Sequence, residues 1–294
     1  MKKDKNKIFL FDVNHTLINT ALYHTKALSV VENQLIKYTD KESASYITKR
    51  FDEIFLLMVA GFLFRTEEEW KSVDGGKESY IKLIDLITKH QKEIKREWGF
   101  IKKWSREVFI KIASDEIYVH LNPDEIFEIG TAYWTTITNL TEPFAEGKKL
   151  LNYIHKKKYL IYLLTSSDGR LMIKNGFFRY DPKISGDFKK NRMITLLAKG
   201  LKFQDIVVGD PEDKPLPSFY ERAFKIIEKD TGRKMNLSSL VMVGNSFEDD
   251  LEIPVKIMGV GTGVLLEKGG KLKKEGDNIY RTGNLLDIIK LLKI

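Results

Sequence analysis

The feature that most constrains this chain is a short apolar run that ends in an acid. Ile8 to Phe11 are consecutive apolar residues, and Asp12 follows them directly. An uninterrupted apolar run of this kind is typical of a strand that is buried on both faces of a parallel sheet. Ligands of open α/β sheets bind outside the carboxyl ends of the strands, where Asp12 would lie. Asp12 is therefore a candidate metal ligand, nucleophile or base, or else a cap of the next element.

Residues 18–139 differ from the rest of the chain. Their apolar residues recur at helical spacing, and almost no strand pattern is present. The segments with the clearest helical periodicity are 21–38, 44–64, 80–90 and 98–113. The sequence therefore predicts a long helical insertion directly after the first strand.

From Thr141 onward, predicted strands alternate with predicted helices, an alternation typical of a doubly wound parallel sheet. Apolar runs predict strands at 159–164, 205–208, 240–243 and 259–266, and amphipathic segments predict helices at 146–158, 217–229 and 284–292. We therefore predict an α/β protein with a Rossmann-like doubly wound parallel sheet. Residues 1–17 and 140–294 would form this core, and residues 18–139 an all-helical domain.

Polar side chains follow the predicted strands of the core. Parallel strands bring their carboxyl ends to one edge of a sheet, so we expect these side chains to lie near Asp12. Carboxylates are the ligands that Mg²⁺ prefers, and a hydroxyl and a lysine suit the oxygens of a phosphate. This combination is typical of a site for phosphoryl transfer. The residues concerned are Thr165 and Ser166, Lys214, and Asn245, Asp249 and Asp250.

Together, these strand ends resemble the four motifs of the haloacid dehalogenase (HAD) superfamily, and they stand in that family's order. The first of these motifs is Asp-x-Asp-x-Thr after an apolar strand. The insertion at 18–139 stands where many members carry a helical cap. The matching residues are, in chain order, Asp12 to Thr16, Thr165, Lys214 with Pro215, and Gly244 to Asp250.

The resemblance implies a phosphohydrolase that removes phosphate from a small metabolite through an aspartyl-phosphate intermediate. Asp12 would be the nucleophile. Thr165 would hold the transferring group, and Lys214 would neutralise its developing charge. Thr16 and Ser166 would be substrate-binding hydroxyls.

The resemblance also implies Mg²⁺ as the cofactor. Asp12, the main-chain carbonyl of Asn14 and an acid of the fourth motif would bind it. Asp250 is the first candidate for that acid and Asp249 is the alternative. Asn245 is a further candidate ligand.

Two positions depart from the pattern of the family. Asn14 stands where an aspartate usually protonates the leaving group and then activates water, whereas an amide exchanges no proton near pH 7. Loss of a general acid–base typically costs about 10² to 10⁴ in rate. Asn245 replaces a carboxylate at or near the metal. His15, beside Asn14, is either a substitute acid–base, since histidine titrates near pH 6.5, or a solvent-facing turn residue.

These departures leave more than one function open. The first hypothesis is a phosphohydrolase whose activity is attenuated because Asn14 replaces the general acid–base. The alternative is a non-catalytic protein of this fold that binds a phosphorylated ligand or partner. A hydrolase of the 2-haloacid dehalogenase type is a third and less favoured interpretation.

Composition limits the partners and the location. The chain has 294 residues, a net charge of +8 and no cysteine, which excludes disulfides and thiolate metal sites. Its lysines are dispersed and many lie near glutamates, so we expect a solvated basic surface rather than a nucleic-acid interface. No stretch reaches the roughly 20 apolar residues of a membrane span, and no secretory signal is recognisable. We therefore expect a cytoplasmic protein that does not bind a membrane.

Overall fold

The structure is a computed structural model that describes residues 7–96 and 101–292. The chain divides into two compact units. The first comprises Met1–Thr20, Thr141–Ser167 and Lys189–Ile294, and the second comprises Ala21–Leu140 and Asp168–Phe188.

The described residues form strands and helices that alternate in the first unit and are mainly helical in the second. The strands are β1 (Ile8–Asp12), β2 (Lys95–Arg96), β3 (Leu160–Ser166), β4 (Met172–Lys174), β5 (Phe177–Tyr180), β6 (Asp205–Gly209), β7 (Leu240–Gly244), β8 (Thr262–Leu266), β9 (Lys273–Glu275) and β10 (Ile279–Thr282). The α-helices are α1 (His24–Leu35), α2 (Lys41–Leu63), α3 (Glu67–Trp70), α4 (Gly76–Lys92), α5 (Arg106–Asp115), α6 (Pro123–Leu140), α7 (Ala145–Lys156), α8 (Pro182–Ala198), α9 (Pro217–Thr231) and α10 (Asp287–Leu291). A π-helix spans Phe247–Ile257, and short 3₁₀ helices span Thr20–Tyr23 and Leu237–Ser239.

The first unit is built on a seven-stranded sheet with the strand order β6-β3-β1-β7-β8-β10-β9. β1 lies inside the sheet and pairs in parallel with β3 and β7. Every other neighbouring pair is also parallel, except that β9 runs antiparallel to β10. The prediction of a Rossmann-like α/β core is therefore confirmed.

All five residues of β1 are buried. Phe9 and Phe11 belong to the apolar cluster on one face of the sheet, and Ile8 and Leu10 to the cluster on the other face. Full burial of an aliphatic side chain contributes roughly 1.5–3 kcal/mol, so β1 is anchored from both sides. This anchoring fixes Asp12, which is 6% exposed, at the carboxyl end of the strand.

Several elements of the first unit were not predicted from the sequence. The strands β9 and β10 are short and carry charged residues, so they lack the apolar run that identifies a buried strand. Residues 182–198 form α8, which begins in the second unit and ends in the first. Its apolar residues form no continuous stripe, so no helical periodicity is visible in this part of the sequence.

The second unit packs its helices around one apolar cluster that includes Phe51, Phe109 and Ile129. It also contains a three-stranded sheet with the order β2-β5-β4. Residues 168–188 thus belong to this unit and not to the core predicted for residues 140–294, and β2 lies within the segment predicted to be all helical. The reason is long-range pairing, because β5 runs parallel to β2 with Lys95 opposite Arg179. No helix in the described ranges is long and apolar enough to span a membrane.

The core of the second unit gives a stability prediction. Ile129 is 0% exposed, so Ile129→Val should lower the free energy of unfolding by about 0.5–1.5 kcal/mol, because the removed methylene leaves a small cavity. The measurement is urea denaturation followed by circular dichroism. Ile81→Val is the control, since Ile81 is 51% exposed and should change stability by less than about 0.5 kcal/mol. Equal effects of the two substitutions would contradict this description of the core.

Candidate active site

The turn after β1 brings Thr16 back towards Asp12. The carbonyl of Val13 accepts hydrogen bonds from the amides of Leu17 and Ile18, at 2.8 and 3.1 Å. Thr16 is fully buried and its hydroxyl donates to Asp12 Oδ2 at 3.0 Å. The strand end therefore carries a carboxylate whose orientation is fixed by its own turn.

Lys214 joins the first and fourth motifs. Its Nζ lies 2.5 Å from Asp12 Oδ1 and 2.7 Å from Asp250 Oδ1. All three side chains are less than 10% exposed. Two carboxylates thus share one ammonium group in a buried position, which leaves the cluster with a net negative charge when all three are ionised.

Burial and neighbouring charges shift the pKa values of Lys214 and Asp250 in opposite directions. Burial alone would lower the pKa of Lys214, but Asp12 and Asp250 raise it well above its usual value. Burial raises the pKa of Asp250 to about 6, although Lys214 opposes the shift. Lys214 is therefore protonated at neutral pH and supplies a fixed positive charge beside Asp12.

The end of β7 orients Asp250 and Asp249 differently. Asp250 Oδ2 accepts hydrogen bonds from the main-chain amides of Asn245 and Ser246, both at 3.1 Å. A Cβ atom on Gly244 would come within 2.4 Å of the Asp250 side chain, so this close approach requires glycine. The carboxylate of Asp249 instead accepts from the Ser246 hydroxyl at 3.1 Å, and burial raises its pKa. Asp250 therefore faces Lys214, whereas Asp249 is held at the start of the π-helix.

Asn14 contributes a buried oxygen with no partner. Its Oδ1 accepts no hydrogen bond within residues 7–96 and 101–292. His15, the next residue, has a positive φ of 61° and is exposed. Its amide donates to the Ile18 carbonyl at 2.6 Å, and its imidazole has no hydrogen bond to any described residue. This arrangement favours the interpretation of His15 as a solvent-facing turn residue.

Not every site residue predicted from the sequence is hydrogen-bonded to Asp12, Lys214 or Asp250. Asn245 Oδ1 is a second acceptor for the Thr16 hydroxyl, at 3.3 Å, and thereby links the first and fourth motifs. Thr165 is fully buried at the end of β3, the strand next to β1. Among the described residues, its hydroxyl has a single long contact, at 3.4 Å, to the Ser166 carbonyl. Thr165 and Ser166 thus lie at the same sheet edge, but neither is hydrogen-bonded to Asp12 or Lys214.

Tyr220 is a residue of this region that the sequence analysis missed. It lies on α9 and is fully buried, and its hydroxyl donates to the main-chain carbonyl of Asp249. Burial raises its pKa far above the usual value, so the phenol stays protonated. Its only signal in the sequence is an aromatic residue in the helix after Lys214, which is indistinguishable from an ordinary core residue.

The donors around Asp12 fit a hard cation such as Mg²⁺. They are oxygen atoms from carboxylates, an amide and the main chain, which is the ligand type that Mg²⁺ prefers. Asn14 Oδ1 adds an oxygen that accepts no hydrogen bond from any residue that the structure describes. In the described ranges, no group of three acidic or histidine side chains is arranged to hold a metal by itself. Main-chain, amide or water oxygens would therefore complete the coordination, as is usual for Mg²⁺.

A basic cavity of about 370 Å³ lies at the opposite ends of the strands. It lies beside Ile8 and Leu160, at the amino ends of β1 and β3, and none of the predicted site residues lines it. It is therefore separate from the cluster around Asp12. Its cationic lining residues are Lys7, Lys158, Arg233 and Lys234.

Comparisons with known proteins bear on the fold. No protein-family model and no curated protein sequence matches this chain. Solved structures do resemble it over nearly their full length. A 2-haloacid dehalogenase from Pseudomonas syringae pv. Tomato DC3000 is 16% identical, with 98% of each chain covered and a TM-score of 0.55.

Two further solved structures are similar to the chain at the same level. The candidate HAD-hydrolase YfnB from Bacillus subtilis, determined bound to magnesium, is 12% identical, with 98% of this chain and 99% of that chain covered and a TM-score of 0.52. A HAD phosphatase from Thermococcus onnurineus is 14% identical, with 97% of each chain covered and a TM-score of 0.50. The resemblance that the four motifs predicted is thus confirmed at the level of the fold: this chain has the fold of the haloacid dehalogenase-like hydrolases.

Proposed function

We propose that this chain is a Mg²⁺-dependent phosphohydrolase that removes phosphate from a small phosphorylated metabolite through an aspartyl-phosphate on Asp12. The observation that carries the proposal is the position of Lys214 Nζ at the carboxyl end of β1, 2.5 Å from Asp12 Oδ1 and 2.7 Å from Asp250 Oδ1. A buried carboxylate beside a fixed ammonium is suited to attack on a phosphoryl group, because the ammonium offsets the charge that develops on its oxygens.

In the proposed mechanism, one carboxylate oxygen of Asp12 forms a bond to phosphorus while the bond to the leaving oxygen breaks. Lys214 holds the carboxylate in place, and Thr16 fixes its other oxygen. When bound by Asp12, the main-chain carbonyl of Asn14 and Asp250, Mg²⁺ would neutralise charge on the phosphoryl oxygens. Water then cleaves the aspartyl-phosphate and restores Asp12.

Proton transfer is the step of this mechanism that lacks a general acid–base at position 14. Asn14 neither donates a proton to the leaving group nor accepts one from water. Solvent must therefore protonate an alkoxide leaving group, which slows the hydrolysis of ordinary phosphate monoesters. A substrate whose leaving group needs no proton, such as an acyl phosphate, should be hydrolysed fastest.

The proposal is tested by measuring phosphate release from acetyl phosphate and from glucose 6-phosphate. We expect Mg²⁺-dependent hydrolysis of both, with acetyl phosphate faster, and loss of both activities in Asp12→Asn. Release that is unchanged in Asp12→Asn would exclude the aspartyl-phosphate mechanism. Release of halide from 2-chloropropionate, with no phosphate release, would favour the dehalogenase alternative.

A non-catalytic protein that binds a phosphorylated ligand is the second candidate function, and Asn14 is the observation that favours it. In that case neither phosphate compound is hydrolysed, but inorganic phosphate binds in a calorimetric titration. Binding that is retained in Asp12→Asn and lost when Lys214 is replaced would support this alternative.

The geometry at the end of β7 predicts which acid binds Mg²⁺. Asp250→Asn should raise the Mg²⁺ concentration needed for half-maximal activity by about 10-fold or more, because Asp250 faces the same ammonium group as Asp12. Asp249→Asn should change this Mg²⁺ concentration by less than about threefold, since the Asp249 carboxylate accepts a hydrogen bond from the Ser246 hydroxyl. The measurement is a Mg²⁺ titration of activity, with circular dichroism to check the fold. The opposite order of effects would assign the metal to Asp249.

A further inference from the structure

Arg106 in the second unit is a buried cation that is surrounded by aromatic rings. It is the first residue of α5 and is 6% exposed. Its guanidinium carbon lies between 4.8 and 5.7 Å from five ring centres. The rings belong to Phe55, Trp104, Phe109, Tyr133 and Trp134.

The guanidinium of Arg106 has no charge partner among the residues that the structure describes. One nitrogen, Nη1, donates to the main-chain carbonyl of Trp104 at 2.6 Å. The Nε atom is buried and has no hydrogen-bond acceptor. Buried charges in proteins are normally paired, because an unpaired charge loses its hydration without compensation. Aromatic faces attract a cation, but their attraction does not replace the hydrogen-bond acceptor that Nε lacks.

Arg170 is a second buried arginine of the same unit, and its charge is paired with an acid. Arg170 is also buried, at 4% exposed, but it is paired with the fully buried Glu107 and donates to the Thr131 hydroxyl at 2.9 Å. The carboxylate of Asp52 is hydrogen-bonded to His24, with Oδ1 2.8 Å from Nε2, and is not paired with Arg106. Of these two buried arginines, Arg170 has an acidic partner and Arg106 has none among the described residues.

The free edge of Arg106 has the geometry of an oxyanion receptor. Because Nη1 is used by the Trp104 carbonyl, the edge formed by Nε and Nη2 makes no hydrogen bond within the described ranges. Two parallel N–H donors match the two oxygens of a carboxylate or a phosphate. Phe55 and Trp104 are partly exposed, so the cluster reaches the surface on their side.

Two of the five rings, those of Phe55 and Tyr133, are contacted by His24. Its imidazole stacks on Phe55 with a centroid distance of 3.9 Å, and its Nδ1 lies 2.9 Å from the Tyr133 hydroxyl. Burial lowers the pKa of His24 although Asp52 opposes the shift, so at neutral pH the ring adds no second positive charge beside Arg106. Aromatic rings around a guanidinium that lacks an anionic partner are suited to a ligand with an anionic group on an apolar body.

We propose that Arg106 and the five surrounding rings form a binding site for a small molecule that carries a carboxylate or phosphate on an apolar or aromatic body. The guanidinium edge would bind the oxyanion in a bidentate manner, and the rings would contact the body. This site lies within the second unit and does not depend on the proposed reaction at Asp12. The two inferences therefore fail or hold separately.

The proposal is tested with benzoate, phenyl phosphate and the uncharged benzyl alcohol, in the absence of Mg²⁺. Tryptophan fluorescence is the readout, because Trp104 and Trp134 lie beside Arg106. We expect saturable binding of at least one of the two anions and none of benzyl alcohol. Comparison of benzoate with phenyl phosphate distinguishes a carboxylate site from a phosphate site. Binding of neither anion would overturn the proposal.

Variants of Arg106 separate a binding role from a structural one. Arg106→Lys keeps the charge but loses the planar fork, so it should weaken binding by about 10-fold or more. Arg106→Met should abolish binding without lowering the temperature of unfolding, because it removes a buried charge that has no partner. Arg170→Met is the matched control and should lower that temperature, since it leaves Glu107 unpaired. Unchanged affinity in Arg106→Lys, or equal destabilisation by Arg106→Met and Arg170→Met, would show that Arg106 is structural and would overturn the proposal.

Discussion

Asn14→Asp is expected to raise the turnover of phosphate monoesters by about 10- to 100-fold, the lower half of the range for a general acid–base. Asn14 follows Asp12 by two residues, and its buried Oδ1 has no hydrogen-bond partner in the described part of the chain. A carboxyl group at this position would protonate the leaving oxygen and then activate water. The measurement is kcat for glucose 6-phosphate in the presence of Mg²⁺.

The choice of substrate makes this prediction specific. Hydrolysis of acetyl phosphate should change much less in Asn14→Asp, because acetate leaves without a proton. The double variant Asn14→Asp with Asp12→Asn should be inactive on both substrates, which excludes a contaminating phosphatase. Asn245→Asp is the matched control, since it adds a carboxylate at the same sheet edge but at the fourth motif. If Asn14→Asp leaves the turnover of glucose 6-phosphate unchanged, the non-catalytic alternative gains support.

The main elements of the sheet could be predicted because their signals are local. β1, β3, β6 and β7 are apolar runs, and each is followed by polar residues. By contrast, β4 and β5 have only three and four residues and are stabilised by pairing with each other and with β2. Such pairing joins residues far apart in sequence, so no local pattern reveals it. For the same reason, the sequence did not show that residues 168–188 belong with the helical unit.

The candidate site was predictable in composition but not in detail. Parallel strand ends meet at one edge, so the proximity of Asp12, Lys214 and Asp250 follows from their positions. The sequence left Asp249 and Asp250 as alternatives because they are adjacent residues. Only the geometry of the π-helix shows that Asp250 faces Lys214 while Asp249 contacts Ser246. Tyr220 was missed because its hydroxyl meets a main-chain carbonyl that no sequence pattern marks.

Lys214→Met is the second substitution with a large expected effect, on stability as well as on activity. Lys214 is buried between Asp12 and Asp250, and removal of one partner from a buried ion pair typically costs about 3–5 kcal/mol. We expect a loss of this order in the free energy of unfolding at pH 8, together with loss of phosphatase activity. The measurement is urea denaturation in a Mg²⁺-free buffer. Lys225→Met on α9 is the control, since Lys225 is exposed and its replacement should cost less than about 0.5 kcal/mol.

The pH dependence of Lys214→Met distinguishes an electrostatic cause from lost packing. Burial already raises the pKa of Asp250 to about 6, and loss of the ammonium would raise it further. A carboxyl group with a raised pKa binds more protons in the folded state than in the unfolded state, so its contribution to stability is lost as pH rises through the folded pKa. Lys214→Met should therefore be less destabilised, relative to wild type, at pH 5 than at pH 8. A destabilisation that is the same at both pH values would mean that Lys214 acts through packing and not through its charge on Asp12 and Asp250.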